Sequence, residues 1–155
     1  MKHGFVKVAA ATPELRVADV LFNWKKIAET IAKADKEGVQ LLVFPELSLC
    51  GYTCGDLFGQ KVLLDGCMQA LREVAGETKG RKLLVFVGVP VRLGGVLYNC
   101  AAAVCDGKVL AFVPKTHLPN YAEFYEKRNF QPYTGENAQV EFFGEKIPFG
   151  NKIIF

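Results

Sequence analysis

Apolar residues follow two periods along this chain, and the switching between them outlines its elements. From residue 19 to 37, Val20, Trp24, Ile27, Ile31 and Ala34 recur at steps of four and three, widened by Val17, Leu21 and Ala28. Lys25, Lys26, Glu29, Lys33 and Lys36 fall mostly on the other side, so the pattern predicts an amphipathic helix. Gly38 stands where a left-handed C-terminal cap is wanted. A second stripe of Leu64, Cys67, Met68, Leu71, Val74 and Ala75 predicts a helix over 61–77, ended by Gly80. Elsewhere apolar residues run together. Strands are predicted at 5–10, 39–44 and 83–91, the last two buried on both faces because their apolar runs show no polar alternation. Gly94-Gly95 and Asp106-Gly107 predict hairpin turns linking 83–91, 98–105 and 108–113. Two more strands are predicted at 139–143 and 152–155, with a turn between them.

The order β-α-β-α followed by a three-strand meander predicts an α/β fold on a mixed sheet. A strand–helix–strand unit favours parallel neighbours, and hairpins make antiparallel ones. The 155 residues suit one domain, and neither a repeat nor a linker divides 1–155.

Composition narrows the function classes. Half the residues are hydrophobic, which excludes a disordered chain. The charge of +3 is the balance of 19 basic and 16 acidic residues, and no basic cluster is interleaved with aromatics. That argues against nucleic acid as a partner. The longest apolar run, 83–91, is too short to cross a bilayer, and Lys7 interrupts the N-terminal run that a signal peptide would need. Cysteines at 50, 54, 67, 100 and 105 are odd in number and irregular in spacing. They suggest no disulfide framework, and hence a reducing, cytoplasmic setting with no membrane partner. The chain closes on Ile153-Ile154-Phe155, inside a predicted strand, so the polypeptide is expected to continue past it.

Candidate chemistry sits at strand exits. Glu46 follows the 39–44 run directly behind Pro45, which has no N–H to continue a ladder. A carboxylate there is either a capping or ion-paired group, or a general base with apolar walls. Lys115 leaves strand 108–113 in the same way, behind Pro114, and Glu123 follows eight residues later. A strand-end lysine is commonly solvated. Delivered to one cleft, however, the three would form an acid–base constellation that still lacks a nucleophile.

Two segments carry a resemblance. Phe44-Pro45-Glu46-Leu47-Ser48-Leu49-Cys50-Gly51-Tyr52 resembles the Glu motif, and the stretch from Lys115-Thr116-His117 to Glu126-Lys127-Arg128 resembles the Lys motif, of the carbon–nitrogen hydrolase (nitrilase) superfamily. Within the second, Leu118-Pro119-Asn120-Tyr121 with Glu123-Phe124-Tyr125-Glu126 is similar to the N-terminal glutamine-hydrolysing domain of the bacterial glutamine-dependent NAD synthetases. Cys50-Gly51-Tyr52 with Asp56-Leu57-Phe58 points the same way, and the similarity runs over essentially the whole chain.

The resemblance implies an αββα sandwich, of which this chain is the N-terminal part: a mixed sheet with helices on one face. It implies that Glu46 is the general base, that Lys115 holds the oxyanion, that Glu123 orients the lysine and that Tyr121 lines the pocket. The substrate would be glutamine, and its ammonia would pass to a C-terminal synthetase domain. That domain would use ATP and magnesium, whereas the glutaminase domain itself would need no cofactor. Apolar sheet surface left open by the missing half would favour self-association into a homo-oligomer. The family's nucleophilic cysteine should follow a strand that begins near Ile153, past the end of this chain. None of the five cysteines takes that place in the motif, so these 155 residues alone are expected not to hydrolyse glutamine.

Other readings compete. Cys50 or Cys54 with His117 could form a Cys–His hydrolase, if brought within hydrogen-bond reach. Cys50, Cys54 and a histidine make a weaker metal candidate, for want of a second ligand pair. The chain could also be a non-catalytic interaction fragment, or part of a sibling amidase.

Overall fold

The computed structural model describes residues 4–155. In chain order the elements are β1 (Val8–Ala10), α1 (Val20–Lys36), β2 (Leu41–Val43), a 3-10 turn (Gly55–Gly59), α2 (Lys61–Glu77), β3 (Leu84–Leu93), β4 (Val96–Cys105), β5 (Lys108–Pro114), α3 (Glu126–Asn129), β6 (Ala138–Phe142) and β7 (Glu145–Phe149). The strands described make one sheet in the order β1-β2-β3-β4-β5-β7-β6. β1, β2 and β3 run parallel, β3, β4 and β5 antiparallel, β7 parallel to β5, and β6 antiparallel to β7.

Both long helices form where the stripes place them, and their ends are chemically marked. Asp19 caps α1 by accepting from the Phe22 N–H at 3.0 Å. At the other end Gly38 takes φ 72°, and the Val39 and Gly38 N–H groups bond the Ala34 and Asp35 carbonyls. That is a Schellman motif, and Val39 and Ala34 are both buried beside it. α1 and α2 pack side by side on the sheet. Ile27, Ile31, Leu71 and Val74 form one core with Leu42, Val85 and Val87.

The opposite face is more open, which corrects the expectation that strand 39–44 is buried on both sides. Leu42 is buried, but its neighbour Val43 is 41 % exposed, and Val8 is exposed beside it. Phe86, Ala101 and Val113 continue this half-open face across β3, β4 and β5.

The other departure lies near the C-terminus. The strand predicted at 152–155 is not one. Its place as the partner of β6 is taken by β7, after a turn in which Phe143 (φ 48°) and Gly144 (φ 84°) are both left-handed. Pro148 hides this strand from a sequence reading, because proline removes a ladder donor. It is tolerated because β7 pairs with β5 only at Phe149.

Candidate active site

The exit of β2 folds back over β3. Phe44 N–H still donates to the Phe86 carbonyl at 2.9 Å, and Pro45 then ends the ladder. Residues 45–49 lie flat on Gly88, whose N–H donates to Ser48 Oγ at 3.2 Å and whose carbonyl accepts from Leu49 N–H at 3.2 Å. A side chain at 88 would overlap the backbone of Pro45, Glu46 and Leu47, so the close approach demands glycine. Leu47 holds φ 51°, a strained conformation for a leucine, and it throws the chain around the corner that carries Glu46. Asn23, buried on α1, braces the same corner by donating to the Leu49 carbonyl at 3.1 Å.

Lys115 follows Pro114 at the end of β5, and its N–H donates to the Asn99 carbonyl on β4 at 2.8 Å. Its ammonium donates to Glu46 Oε1 and to Glu126 Oε1, both at 2.8 Å. The Glu46 and Lys115 positions expected from the strand exits therefore meet. The third carboxylate is a correction. Glu126, at the start of α3, bonds the lysine, whereas Glu123 is exposed on a small separate cleft that it shares with Tyr52, Tyr125 and Glu126. The loop from 116 to 125, with Ala122 at φ 49°, turns the later glutamate inward.

Burial grades the cluster. The Glu126 side chain is only 3 % exposed, Lys115 24 % and Glu46 48 %. Tyr52 donates to Glu126 Oε1 at 2.7 Å, so that oxygen takes two donors, while Oε2 is buried without a protein partner. Partial burial pulls the Lys115 ammonium towards its neutral form. The hydrogen bonds and charges of Glu126 and Glu46 outweigh this and hold its pKa above the ordinary lysine value. Burial and the Glu126 carboxylate likewise push the Tyr52 phenol above its usual range.

Glu46, Asn99 and Lys115 face an open cavity of about 500 Å³ on the half-open side of the sheet, with Phe86, Gly88 and His117 among its walls. Tyr121 is not one of its walls. It is 69 % exposed and edge-on to Phe124, whose ring in turn meets Tyr52 edge-on.

The cysteines make no competing site. Cys50 and Cys54 are buried, and their thiols donate to the backbone carbonyls of Leu47, Cys50 and Gly51 rather than reaching His117. The Cys54 contact eases Cys50 towards ionisation, but Cys67 and burial push its pKa well up, and Cys54 is raised by Cys50 and by burial. Cys100 borders the cavity, yet burial keeps it a thiol. Among the described residues no group of His, Cys, Asp and Glu has the geometry to hold a metal, and no helix is long and apolar enough to cross a membrane.

Comparison with known proteins gives these features a context. The carbon–nitrogen hydrolase family model matches residues 7–153. The glutamine-dependent NAD(+) synthetase of Mycobacterium tuberculosis is 36 % identical over 154 residues, which is 99 % of this chain and 23 % of that protein. The solved glutamine-dependent NAD(+) synthetase of Cytophaga hutchinsonii superposes with a TM-score of 0.88 at 29 % identity, over 94 % of this chain and 25 % of the other. An amidase from a Nesterenkonia species shares the fold at a TM-score of 0.72 and 23 % identity, over 96 % of this chain and 56 % of the other. The chain thus spans about a quarter of the length of the synthetases it matches.

Proposed function

Because this chain belongs to the carbon–nitrogen hydrolase family, we propose that it forms the acid–base half of a glutaminase site that supplies ammonia for NAD synthesis. The observation that carries this reading is one lysine ammonium bonded to two carboxylates, one from the turn after β2 and one from the start of α3, beside an open cavity. The relatives' names suggest glutamine and NAD; the paired Glu46 and Lys115 support a base and an oxyanion-stabilising ammonium.

In this reading a cysteine from sequence outside these 155 residues enters the cavity and gives its thiol proton to Glu46. The thiolate attacks the side-chain amide carbon of glutamine, and the Lys115 ammonium stabilises the oxygen that becomes negative. Glu46 returns the proton to the leaving nitrogen, and the C–N bond breaks to release ammonia and leave a thioester. Glu46 then takes a proton from water as the water attacks the thioester, and passes it back to the sulfur as glutamate departs. Glu126 holds the lysine from the buried side, and Tyr52 fixes Glu126. Glu123 and Tyr121, exposed on the same loop and outside the cavity walls, take no part in holding the lysine in this reading. ATP and magnesium belong to a synthetase domain elsewhere in the protein. That domain, or a second copy of this chain, would cover the half-open sheet face, and the assembly would work in the cytoplasm.

The test is Glu46→Gln and Lys115→Ala in the complete protein. Each lowers glutamine-dependent NAD formation on the order of 10³-fold while ammonium-dependent formation persists. Normal glutamine-dependent rates in either variant sink the proposal. The 155-residue chain alone is expected to release no ammonia from glutamine.

A further inference from the structure

We propose that Asn99 is a positioning residue that sets the distance between the Glu46 carboxylate and Lys115, gripping the first through its side chain and the second through its backbone. The inference rests on the glutaminase reading for its catalytic consequence, but not for its geometry.

Asn99 lies inside β4, opposite Pro90 of β3, and is 3 % exposed. An amide in a sheet interior is costly unless its polar atoms are used. Both ends of this residue are used on the same pair of groups. Its Nδ2 donates to Glu46 Oε2 at 3.4 Å, and its carbonyl accepts from the Lys115 N–H at 2.8 Å. It is thus one residue that touches the base by its side chain and the lysine by its main chain.

The mechanical need for this grip is visible in the burial pattern. The Glu46 side chain is about half exposed, and a long exposed carboxylate held by one bond can swing about that bond. Lys115 takes only Oε1, whereas Asn99 takes Oε2, so the pair of donors fixes the plane of the carboxylate as well as its position. The donors differ in kind. Lys115 is a charge that Glu126 also claims, while the Asn99 amide is neutral and is bonded to no other carboxylate among the described residues. Glu126 steadies the lysine from within; Asn99 steadies the base from the sheet. Asn99 and the two groups it grips, Glu46 and Lys115, border the same cavity.

Two variants test this. Asn99→Leu keeps the side-chain size and removes the donor, and Asn99→Val suits a strand interior if leucine will not pack. In this chain, NMR titration of the Lys115 side chain reads the geometry without turnover. Freed from Asn99, the Glu46 carboxylate can swing about its remaining bond to the lysine, its hold on the ammonium weakens, and the Lys115 midpoint falls. The same Asn99 change in a Glu46→Gln background should move the midpoint far less, because the group that Asn99 positions is no longer charged. In the complete protein, kcat with glutamine should fall on the order of 10²-fold with KM nearly unchanged, since the base is misplaced but the cavity is not. A Lys115 midpoint that stays put in a folded Asn99 variant, or that moves equally in the Glu46→Gln background, overturns the inference. Failure of the complete wild-type protein to use glutamine refutes the glutaminase reading instead, and leaves the titration result to decide the role of Asn99.

Discussion

Leu42 and Val43 are neighbours in a three-residue strand, yet one points into a packed core and the other towards an open face. The contrast runs across the sheet. On the helix side, Leu42, Val85 and Val87 join Ile27, Ile31, Leu71 and Val74, so each residue's loss is shared by many apolar contacts. On the open side the strand ends deliver a few polar groups, and each carboxylate oxygen there depends on one or two donors: Asn99 for Glu46 Oε2, Tyr52 and Lys115 for Glu126 Oε1. One face resists change by redundancy. The other gathers a few polar groups, graded from the buried Glu126 and Asn99 to the half-exposed Glu46, beside an open cavity.

Truncations on the two faces should therefore separate most widely. In this chain Leu42→Ala is expected to cost about 2–5 kcal/mol in urea unfolding, by lost burial and a residual cavity. Val43→Ala, one residue along, should cost under about 1 kcal/mol. Equal losses would mean that the open face is covered in solution.

Gly88 is where the two sides touch, and Gly88→Ala should blur the distinction. The added methyl meets the backbone of Pro45, Glu46 and Leu47, which must lift from β3. Overpacking of this kind costs about 1–3 kcal/mol in stability. Because the lifted segment carries Glu46, glutamine turnover in the complete protein should fall with it. A variant that loses stability but keeps its turnover would show that the corner does not set the base.

The smallest expected effect is on the polar side alone. Tyr52→Phe removes one of two donors to a buried carboxylate oxygen and should cost about 1–2 kcal/mol. It also changes the alkaline limb of stability. Lys115 and Tyr52 both titrate higher when folded than when unfolded, so between those two values the folded state binds more protons than the unfolded one. Their contribution is complete below about pH 10 and is lost as pH rises through the folded-state values. Thermal melts from pH 9 upward should show Tm falling, less steeply in Tyr52→Phe. An identical slope would remove Tyr52 from the linkage.

The two long helices, the hairpins and the Glu46–Lys115 pairing were legible because each leaves a local mark: a stripe, a positive-φ glycine, or a charge placed just behind a strand-ending proline. Glu126 was not legible in place of Glu123. Both sit in an aromatic, charged segment with no period, and spacing alone does not say which faces inward. Asn99 left no mark either, since an asparagine within an apolar run has no meaning until the group across from it is known. Strand β7 carried no signal either, because Pro148 within it removes a ladder donor.

By itself, then, the sequence determined the two long helices, the Gly38 cap and the hairpins, since periodicity, capping and turn chemistry act over a few residues. It also marked which charges stand directly behind strand-ending prolines. Only the tertiary structure decided which glutamate meets Lys115, which residue holds Glu46 from the sheet, and which face of β2 stays open. Those outcomes depend on the paths of loops and on contacts between residues 11 and 53 positions apart, where no local rule reaches.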